Sequence, residues 1–349
     1  GRTGLVVTRL GYGALELRDV EASGGRLTDE ANAERVLNAI LDSGINFIDT
    51  AEMYPVNPIR AETVGNSEKV IGNWIKATGR RDEIVVATKV SGDNPGWVRD
   101  GKGYDGKVIR EAVETSLKRL QTDVIDLYQM HWPNQGHFHF RQQWDYDPSD
   151  LETQPILDDM RRNLEALARE VEAGRIRCIG LSNDTTWGTM RWLKLAEEFG
   201  LPRVACVQNE YSLMYRQADL DFAEMAHHEQ VSLISYSSLA CGLLTGKYSG
   251  GQVPAGSRMD VSGPTLGDRT TAQGMEAAEA YAALARDNDL DPATMAIAFC
   301  LTRPFLASVI IGATTLEQLE SVLAASDVEL SQDVLDGIGD LHRQYPFPF

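Results

Sequence analysis

Four side chains that could take part in proton transfer stand at or near the ends of apolar runs. Asp49 ends the short, mainly apolar run Ile45–Ile48, Tyr54 lies five residues beyond Asp49, and Lys89 and His131 each follow a later run. Burying an unpaired carboxylate is costly, so Asp49 needs a cation or several hydrogen-bond donors beside it. For Asp49 alone, a cap on the next turn is the more ordinary explanation, but ionisable groups recur at the later runs.

The chemistry that these four groups suit is proton transfer from a phenol. Free tyrosine has a pKa near 10, which is high for an acid or base at neutral pH. A buried ammonium at Lys89 is expected to lower the pKa of Tyr54, with Asp49 keeping Lys89 charged, and His131 can hydrogen bond to the reacting oxygen. The set predicts protonation of a carbonyl oxygen, which requires a hydride donor brought in as a cofactor. The competing interpretation is a structural Asp49–Lys89 ion pair.

Apolar strands that alternate with amphipathic helices must position these side chains. Eight strands are predicted, at Leu10–Ala14, Ile45–Ile48, Ile84–Thr88, Val124–Met130, Ile176–Leu181, Ala205–Gln208, Val231–Tyr236 and Ser308–Ile311. Such alternation favours a parallel sheet, and eight units favour a closed (β/α)8 TIM barrel, formed here by residues 1–349 as a single domain. An open doubly wound sheet is the rival, but no G-x-G-x-x-G follows the first strand. A hairpin is expected within Gly1–Gly13.

Loop lengths favour the barrel independently. Short turns precede the strands, whereas long segments follow several of them: Pro55–Asn66, Ser91–Lys107, Trp132–Thr153 and Ser237–Thr271. Barrel enzymes build their sites from the loops at the strand C-termini, where neighbouring strand ends converge. The four side chains are therefore expected to meet there. Aromatic residues of the loop after the fourth strand are expected to form the substrate pocket, namely Trp132, Phe138 and Trp144.

Composition limits the possible partners. The net charge of −18 disfavours nucleic acid and anionic membranes. The sequence has no apolar run of about 18 residues, so no membrane span is predicted. The opening residues are polar and do not resemble a signal peptide, and a cytoplasmic location is expected.

No metal site is predicted. The cysteines are far apart and lack ligand spacing, as expected for reduced thiols: Cys178, Cys206, Cys241 and Cys300. Two histidine pairs also lack Asp, Glu or Cys at ligand spacing and are expected at the surface: His137 with His139, and His227 with His228.

Six short motifs occur in order along the chain. Three contain the side chains described above: Asp49–Tyr54, Ala87–Lys89 and Gln129–Trp132. Three lie at later strand ends: Gly180–Asn183, Gln208–Tyr211 and Tyr236–Leu239. Together they resemble the aldo-keto reductase superfamily over essentially the full chain, most closely its bacterial Tas-like branch and more distantly the potassium-channel β-subunits.

The resemblance implies an enzyme that reduces an aldehyde or ketone to the alcohol, with NADPH as the hydride donor. Tyr54 would be the acid, Lys89 and Asp49 would tune it, and His131 would orient the carbonyl. The residues implied for the cofactor are Ser182, Asn183, Gln208, Tyr236, Ser237, Leu239, Gly242, Lys247, Arg258, Gly312, Thr314 and Gln318.

These residues divide between the two ends of the cofactor. Ser182, Asn183 and Gln208 would hold the nicotinamide carboxamide, and Tyr236 would stack on the ring.

At the other end, Lys247 and Arg258 would contact the pyrophosphate and the 2′-phosphate, although two basic residues on a loop could also be solvated surface. A chain this acidic needs local cations to bind an anionic cofactor. Gly312–Thr314 would add a phosphate contact, and Gln318 would face the adenine. Val322 departs from the family pattern, since relatives usually carry Asn near this position and Val cannot make that polar contact.

Two functional classes are open on the sequence. The first is an NADPH-dependent carbonyl reductase that acts on a small molecule. The second is a cofactor-binding regulatory or redox-sensing subunit with weak turnover, as the channel β-subunits suggest. Those relatives carry Asn at the position of His131, so His131 favours the enzyme. Both a monomer and a homo-oligomer are compatible with the sequence.

Overall fold

The structure is a computed structural model that describes residues 3–15, 17, 30–56, 59–313 and 316–349. Its strands are β1 (Leu10–Gly13), β2 (Phe47–Asp49), β3 (Val85–Val90), β4 (Ile125–Met130), β5 (Ile176–Ser182), β6 (Val204–Glu210), β7 (Ser232–Tyr236) and β8 (Leu306–Ile311). Its α-helices are α1 (Glu30–Asp42), α2 (Asn66–Thr78), α3 (Gly106–Leu120), α4 (Thr153–Glu172), α5 (Thr186–Phe199), α6 (Asp221–Glu229), α7 (Arg258–Ser262), α8 (Ala272–Asp287), α9 (Pro292–Leu301), α10 (Leu316–Leu323) and α11 (Gln332–Gln344).

The eight strands close into a barrel in chain order. Each strand pairs in parallel with the next, and β8 pairs with β1. At least one helix lies between each pair of consecutive strands, and the main hydrophobic core packs between helices and barrel. The predicted TIM barrel is confirmed, and the open doubly wound sheet is excluded. The long loops predicted after β3, β4 and β7 are also present.

The hairpin predicted ahead of the first strand is wrong for the described residues. Residues 3–9 contain no strand, and Leu10–Gly13 pairs in parallel with β2 and β8 instead. The segment ahead of β1 is hydrogen-bonded to the Asn46 side chain instead of to a hairpin partner. The Thr8 N–H donates to Asn46 Oδ1 at 2.9 Å, and Asn46 Nδ2 donates to the Val6 carbonyl at 2.9 Å. Asn46 lies 38 residues from Thr8 in the sequence, so the local pattern of Gly and Thr could not indicate it as the partner.

Polar side chains cap the N-termini of α3 and α5, the helices that follow β3 and β5. Asp105 accepts hydrogen bonds from the N–H groups of Lys107 and Val108 at the start of α3, both at 2.9 Å. Thr185 accepts one from the Gly188 N–H at the start of α5, also at 2.9 Å. These bonds satisfy first-turn amides that have no partner within the helix.

None of the helices in the described part of the chain is long and apolar enough to cross a membrane. All four cysteines are free thiols. Over the same residues, no group of three or more His, Cys, Asp and Glu side chains is placed to bind a metal ion.

Candidate active site

Inside the barrel, a layer of polar side chains lies next to a layer of apolar side chains. The apolar layer takes one residue from each of six strands: Phe47, Ala87, Leu127, Cys206, Ile234 and Ile310. Because side chains alternate along a strand, the residue two positions later faces the same way. Those later positions are Asp49, Lys89, Gln129, Gln208, Tyr236 and Gly312. The fold therefore directs a set of polar groups to the end of the barrel where the long loops begin.

Asp49 accepts hydrogen bonds from three side chains. Lys89 Nζ donates to Oδ2 at 2.6 Å, while Gln208 Nε2 and Gln129 Nε2 donate to Oδ1 at 2.8 and 3.3 Å. Lys89 Nζ also donates to the Thr50 carbonyl at 2.8 Å. Both charges of the Asp49–Lys89 pair are buried, so these bonds are the compensation that a buried ion pair requires.

Tyr54 and His131 join this pair. Lys89 Nζ lies 5.2 Å from the centroid of the Tyr54 ring, and the Tyr54 and His131 ring centroids are 5.6 Å apart at an interplanar angle of 73°. The structure thus brings together the four side chains predicted to do the chemistry. His131 Nδ1 is buried and has no hydrogen-bond partner among the described residues.

The protonation states differ from the sequence expectation at Tyr54. Burial and the Asp49 carboxylate raise the pKa of the Tyr54 phenol well above its ordinary value, so the prediction that Lys89 lowers it is wrong for this structure. The reason is that the Lys89 ammonium is already paired with Asp49, and burial penalises the phenolate. Burial lowers the pKa of Lys89. Burial and then the Lys89 charge lower the pKa of His131 well below its ordinary value, so His131 is neutral at pH 7.

A buried carboxylate two residues before Tyr54 was not singled out from the sequence. Glu52 accepts hydrogen bonds from the Ser91 N–H at 2.6 Å and from Arg99 Nη1 at 2.8 and 2.9 Å. Arg99 Nη2 also donates to the Ser91 carbonyl at 2.6 Å. These bonds fasten the loop that carries Tyr54 to the loop after β3. The acid between Asp49 and Tyr54 was visible in the sequence, but its Arg99 partner, 47 residues away, was not.

The residues implied for the nicotinamide lie against this site. Asn183 Nδ2 donates to the His131 carbonyl at 2.9 Å, and the Tyr236 hydroxyl donates to Asn183 Oδ1 at 2.6 Å. The Ser182 hydroxyl donates to the Gln208 carbonyl at 2.9 Å. Because Gln208 Nε2 also donates to Asp49, the residues implied for the carboxamide are linked by hydrogen bonds to the Asp49–Lys89 pair.

The loop after β7 contains several residues with a left-handed backbone, and a lysine lies beside one of them. Ser237, Cys241 and Gly242 have positive φ angles of 54°, 57° and 98°. A Cβ at Gly242 would stand 3.0 Å from Lys247 Nζ, so glycine leaves space beside that ammonium. Leu239 is half-buried in the same loop. Backbone N–H groups in turn conformations, with a cation beside them, can bind an anion such as a phosphate.

The remaining predicted cofactor residues are more spread out. Arg258 is the first residue of α7 and is half-buried, and Gln318 is exposed on α10. Gly312 is exposed directly after β8, whereas Thr314 lies outside the described residues. Val322 is buried in the hydrophobic core.

The three aromatic residues predicted for the substrate pocket occupy different environments. The Trp132 ring lies 4.7 Å from the His131 ring, centroid to centroid, beside the proton-transfer set. Phe138 lines a cavity of about 480 Å³ between the β4 loop and the starts of α5 and α6. Trp144 is 65% exposed and lies outside that lining.

The predicted surface position is confirmed for one histidine pair and wrong for the other. His227 and His228 are exposed on α6 as expected. His137 and His139 are buried, so their predicted surface position is wrong. The aromatic loop after β4 folds back over them, which brings His139 Nε2 to 3.2 Å from the Asp184 carbonyl. Burial lowers the pKa of His137 to about 4 and that of His139 to about 3.

Comparison with known proteins agrees with this arrangement. Residues 9–342 match the model of the Aldo/keto reductase family. The chain is 43% identical to Protein tas of Escherichia coli strain K12, over 99% of this chain and 96% of that protein. It is 33% identical to the Uncharacterized oxidoreductase YrpG of Bacillus subtilis strain 168, over 98% and 94%. It is 29% identical to the Probable voltage-gated potassium channel subunit beta of Arabidopsis thaliana, over 99% and 96%.

The closed parallel barrel thus holds a buried Lys–Asp pair beside a tyrosine and a histidine. The chain belongs to the aldo/keto reductase family. Members of this family are oxidoreductases, and membership supports NAD(P)H-dependent carbonyl reduction in general.

Proposed function

We propose that this protein reduces an aldehyde or ketone to the alcohol with NADPH, using Tyr54 as the proton donor. The observation that carries the proposal is the convergence of Tyr54 and His131 on the buried Lys89–Asp49 pair. The Tyr54 phenol has a raised pKa and so holds its proton at neutral pH. A protonated phenol suits reduction, in which the carbonyl oxygen must receive a proton.

Each side chain has a distinct part in this proposal. Neutral His131 hydrogen bonds to the carbonyl oxygen and turns it toward the Tyr54 hydroxyl. Lys89 places a positive charge near the oxygen that gains negative charge, and Asp49 holds Lys89 in position.

A bound nicotinamide would supply the hydride, and the residues present fit it. Asn183 and Ser182 offer polar groups beside His131, and Tyr236 offers an aromatic face next to them. The proposed preference for NADPH rests on Lys247 and Arg258, because only cations that reach the 2′-phosphate can separate NADPH from NADH.

The proposal is tested by Tyr54→Phe, which removes the hydroxyl and keeps the ring. Turnover of NADPH with a panel of aldehydes and ketones should fall by about 100- to 10,000-fold, the usual contribution of a positioned acid. NADPH binding, followed by quenching of protein fluorescence, should stay close to that of the wild type. Wild-type turnover in the variant would show that Tyr54 is not the proton donor.

A cofactor-binding regulatory subunit is the second candidate, favoured by the likeness to a protein named as a potassium channel β-subunit. The two candidates differ in one measurement. An enzyme oxidises NADPH steadily with a suitable carbonyl compound, whereas a regulatory subunit binds NADPH and oxidises it only weakly.

A further inference from the structure

A fully buried carboxylate, Glu68, lies in the first turn of α2, behind the strand that carries Lys89. Its Oε1 accepts a hydrogen bond from the Thr88 hydroxyl at 2.6 Å, and its Oε2 accepts one from Arg119 Nη1 at 3.1 Å. Thr88 directly precedes Lys89 on β3. Because side chains alternate along a strand, Thr88 points out of the barrel toward α2 while Lys89 points into it. The Glu68 carboxylate therefore holds the strand at the residue next to Lys89.

The same turn of α2 holds the backbone of Tyr54. The N–H groups of Gly65 and Ser67 both donate to the Tyr54 carbonyl, at 3.0 and 3.4 Å. Glu68 directly follows Ser67 in the chain. The start of α2 is thus bonded to Tyr54 through its backbone and to β3 through the Glu68 side chain. It links the two segments that carry the proposed proton donor and the ammonium beside it.

Arg119, on α3, fixes the carboxylate from its other side. A Cβ at Gly65 would stand 2.2 Å from Arg119 Cζ, so only glycine lets the guanidinium lie against the chain at this point. Arg119 Nη1 also donates to the Glu52 carbonyl at 3.4 Å, two residues before Tyr54. One guanidinium therefore contacts both Glu68 and the segment that leads to Tyr54. It also offsets the cost of burying the Glu68 charge.

The Glu68 carboxylate also acts on Lys89 through its charge. Burial lowers the pKa of Lys89, whereas Asp49 and, more weakly, Glu68 raise it. Loss of the Glu68 charge should therefore let Lys89 lose its proton at a lower pH. The other titratable and charged groups that face Lys89 and Glu68 from the surrounding elements are Asp49, Glu52, Tyr54, Arg99, Arg119, Tyr128 and His131.

We propose that Glu68 is a positioning residue for the reductase reaction, which holds Lys89 and Tyr54 at the separation that the reaction needs. Through Thr88 it fixes the position of Lys89, and through the first turn of α2 it fixes that of Tyr54. The separation in question is the 5.2 Å between Lys89 Nζ and the centroid of the Tyr54 ring. This inference rests on the proposed function, because it assigns Glu68 a part in the reaction of Tyr54.

A buried ion pair elsewhere in the barrel provides the control for a purely structural role. Glu170 is 2% exposed and accepts hydrogen bonds from Arg175 Nε and Nη2 at 2.6 and 3.0 Å. Arg175 directly precedes β5, so this pair lies at the end of the barrel opposite the strand C-termini. Glu170→Gln therefore breaks a similar pair at a distance from Tyr54 and Lys89.

Glu68→Gln keeps the shape of the side chain and removes its charge. In steady-state oxidation of NADPH with a carbonyl compound that the wild type reduces, kcat should fall by about tenfold, with NADPH affinity close to that of the wild type. Because the pKa of Tyr54 lies well above its ordinary value, the alkaline fall in kcat reports Lys89. That fall should move to lower pH by about half a unit or more. Glu170→Gln should match the wild type in kcat and in pH profile.

Two variants of Thr88 test the same link without removing the buried charge. Valine has the shape of threonine but lacks the hydroxyl that donates to Glu68, whereas serine keeps the hydroxyl. Thr88→Val should lower kcat by about tenfold and leave the KM for NADPH near that of the wild type, and Thr88→Ser should restore most of the loss. Circular dichroism establishes that each variant folds. If Glu68→Gln does not fold, the two Thr88 variants decide the proposal.

Tyr54→Phe, assayed alongside, separates this inference from the proposed function. If Tyr54→Phe loses turnover while Glu68→Gln behaves like Glu170→Gln, Glu68 is only structural and the positioning role is refuted. Wild-type kcat in Thr88→Val, or an equal loss in Thr88→Val and Thr88→Ser, would also refute it. Wild-type turnover in Tyr54→Phe would instead overturn the proposed function, and the role of Glu68 with it.

Discussion

Replacing Asp184 by asparagine should change how the stability of the protein depends on pH. Asp184 is buried, and its carboxyl accepts hydrogen bonds from the Thr185 N–H at 2.7 Å and from the Trp192 side chain. These bonds do not outweigh burial, which raises its pKa from 3.8 to about 7. The folded state therefore holds a proton on Asp184 at pH 5, whereas the unfolded chain has lost it.

The sign of the effect follows from that difference. A group whose pKa is raised by folding stabilises fully below its unfolded pKa, and this contribution is lost as the pH rises through the folded pKa. For Asp184 this stabilising contribution is lost between about pH 4 and about pH 7. The span from pH 5 to 7 is about two pKa units, which corresponds to about 3 kcal/mol of unfolding free energy lost by pH 8. Asparagine cannot ionise, so Asp184→Asn should not lose it.

Urea unfolding at pH 5 and pH 8, followed by circular dichroism, measures the effect. Relative to the wild type, the unfolding free energy of Asp184→Asn should rise by about 3 kcal/mol between the two pH values. Thr186→Ala is a matched control, because it alters the same cavity wall without removing a titratable group and should parallel the wild type. A difference between Asp184→Asn and the wild type that is the same at both pH values would refute the reasoning.

Three further predictions concern the site itself. His131→Ala should lower turnover more than NADPH affinity, because in the proposed reaction His131 hydrogen bonds to the carbonyl oxygen. A collapse of NADPH binding with unchanged turnover would instead assign His131 to cofactor binding. Arg258→Ala should weaken NADPH binding by roughly 10- to 150-fold, because a charge-assisted hydrogen bond contributes about 1.5–3 kcal/mol. NADH binding, measured in the same fluorescence titrations, should be almost unchanged. An equal loss of affinity for both cofactors would place Arg258 at the pyrophosphate. Glu52→Gln should lower turnover by about tenfold or more with little change in NADPH affinity, because it loosens the loop that carries Tyr54, and stopped-flow turnover equal to the wild type would show that the Arg99 bonds are not needed.

The burial of His137 and His139 should also make the stability of the protein depend on pH. Folding lowers the pKa of His139 to about 3 and that of His137 to about 4, so both contribute stability that is present above their unfolded pKa near 6.5 and lost as the pH falls through the folded values. Asp184 acts in the opposite direction over part of that range. Comparison of His139→Gln with the wild type in urea at pH 7 and pH 5 should show the wild type losing more stability, and parallel losses would contradict the lowered pKa.

The sequence by itself determined the barrel, and it indicated that Asp49, Tyr54, Lys89 and His131 would meet at one end of it. Strand and helix periodicity is local, so each β and α unit could be recognised within its own segment. Asp49 and Lys89 could be placed together because parallel strands of a barrel bring their C-terminal ends to one face. The alternation of side chains then explains why polar groups stand two residues beyond the apolar layer.

The tertiary structure alone decided the properties that depend on distant neighbours. The direction of the Tyr54 pKa shift depends on how far burial outweighs an ammonium that Asp49 already engages. The Glu52–Arg99 bonds join two loops, and the burial of His137 and His139 depends on how the aromatic loop folds back. Burial and pairing are sums over contacts made by residues far apart in the chain, and no local pattern of residue types encodes those sums.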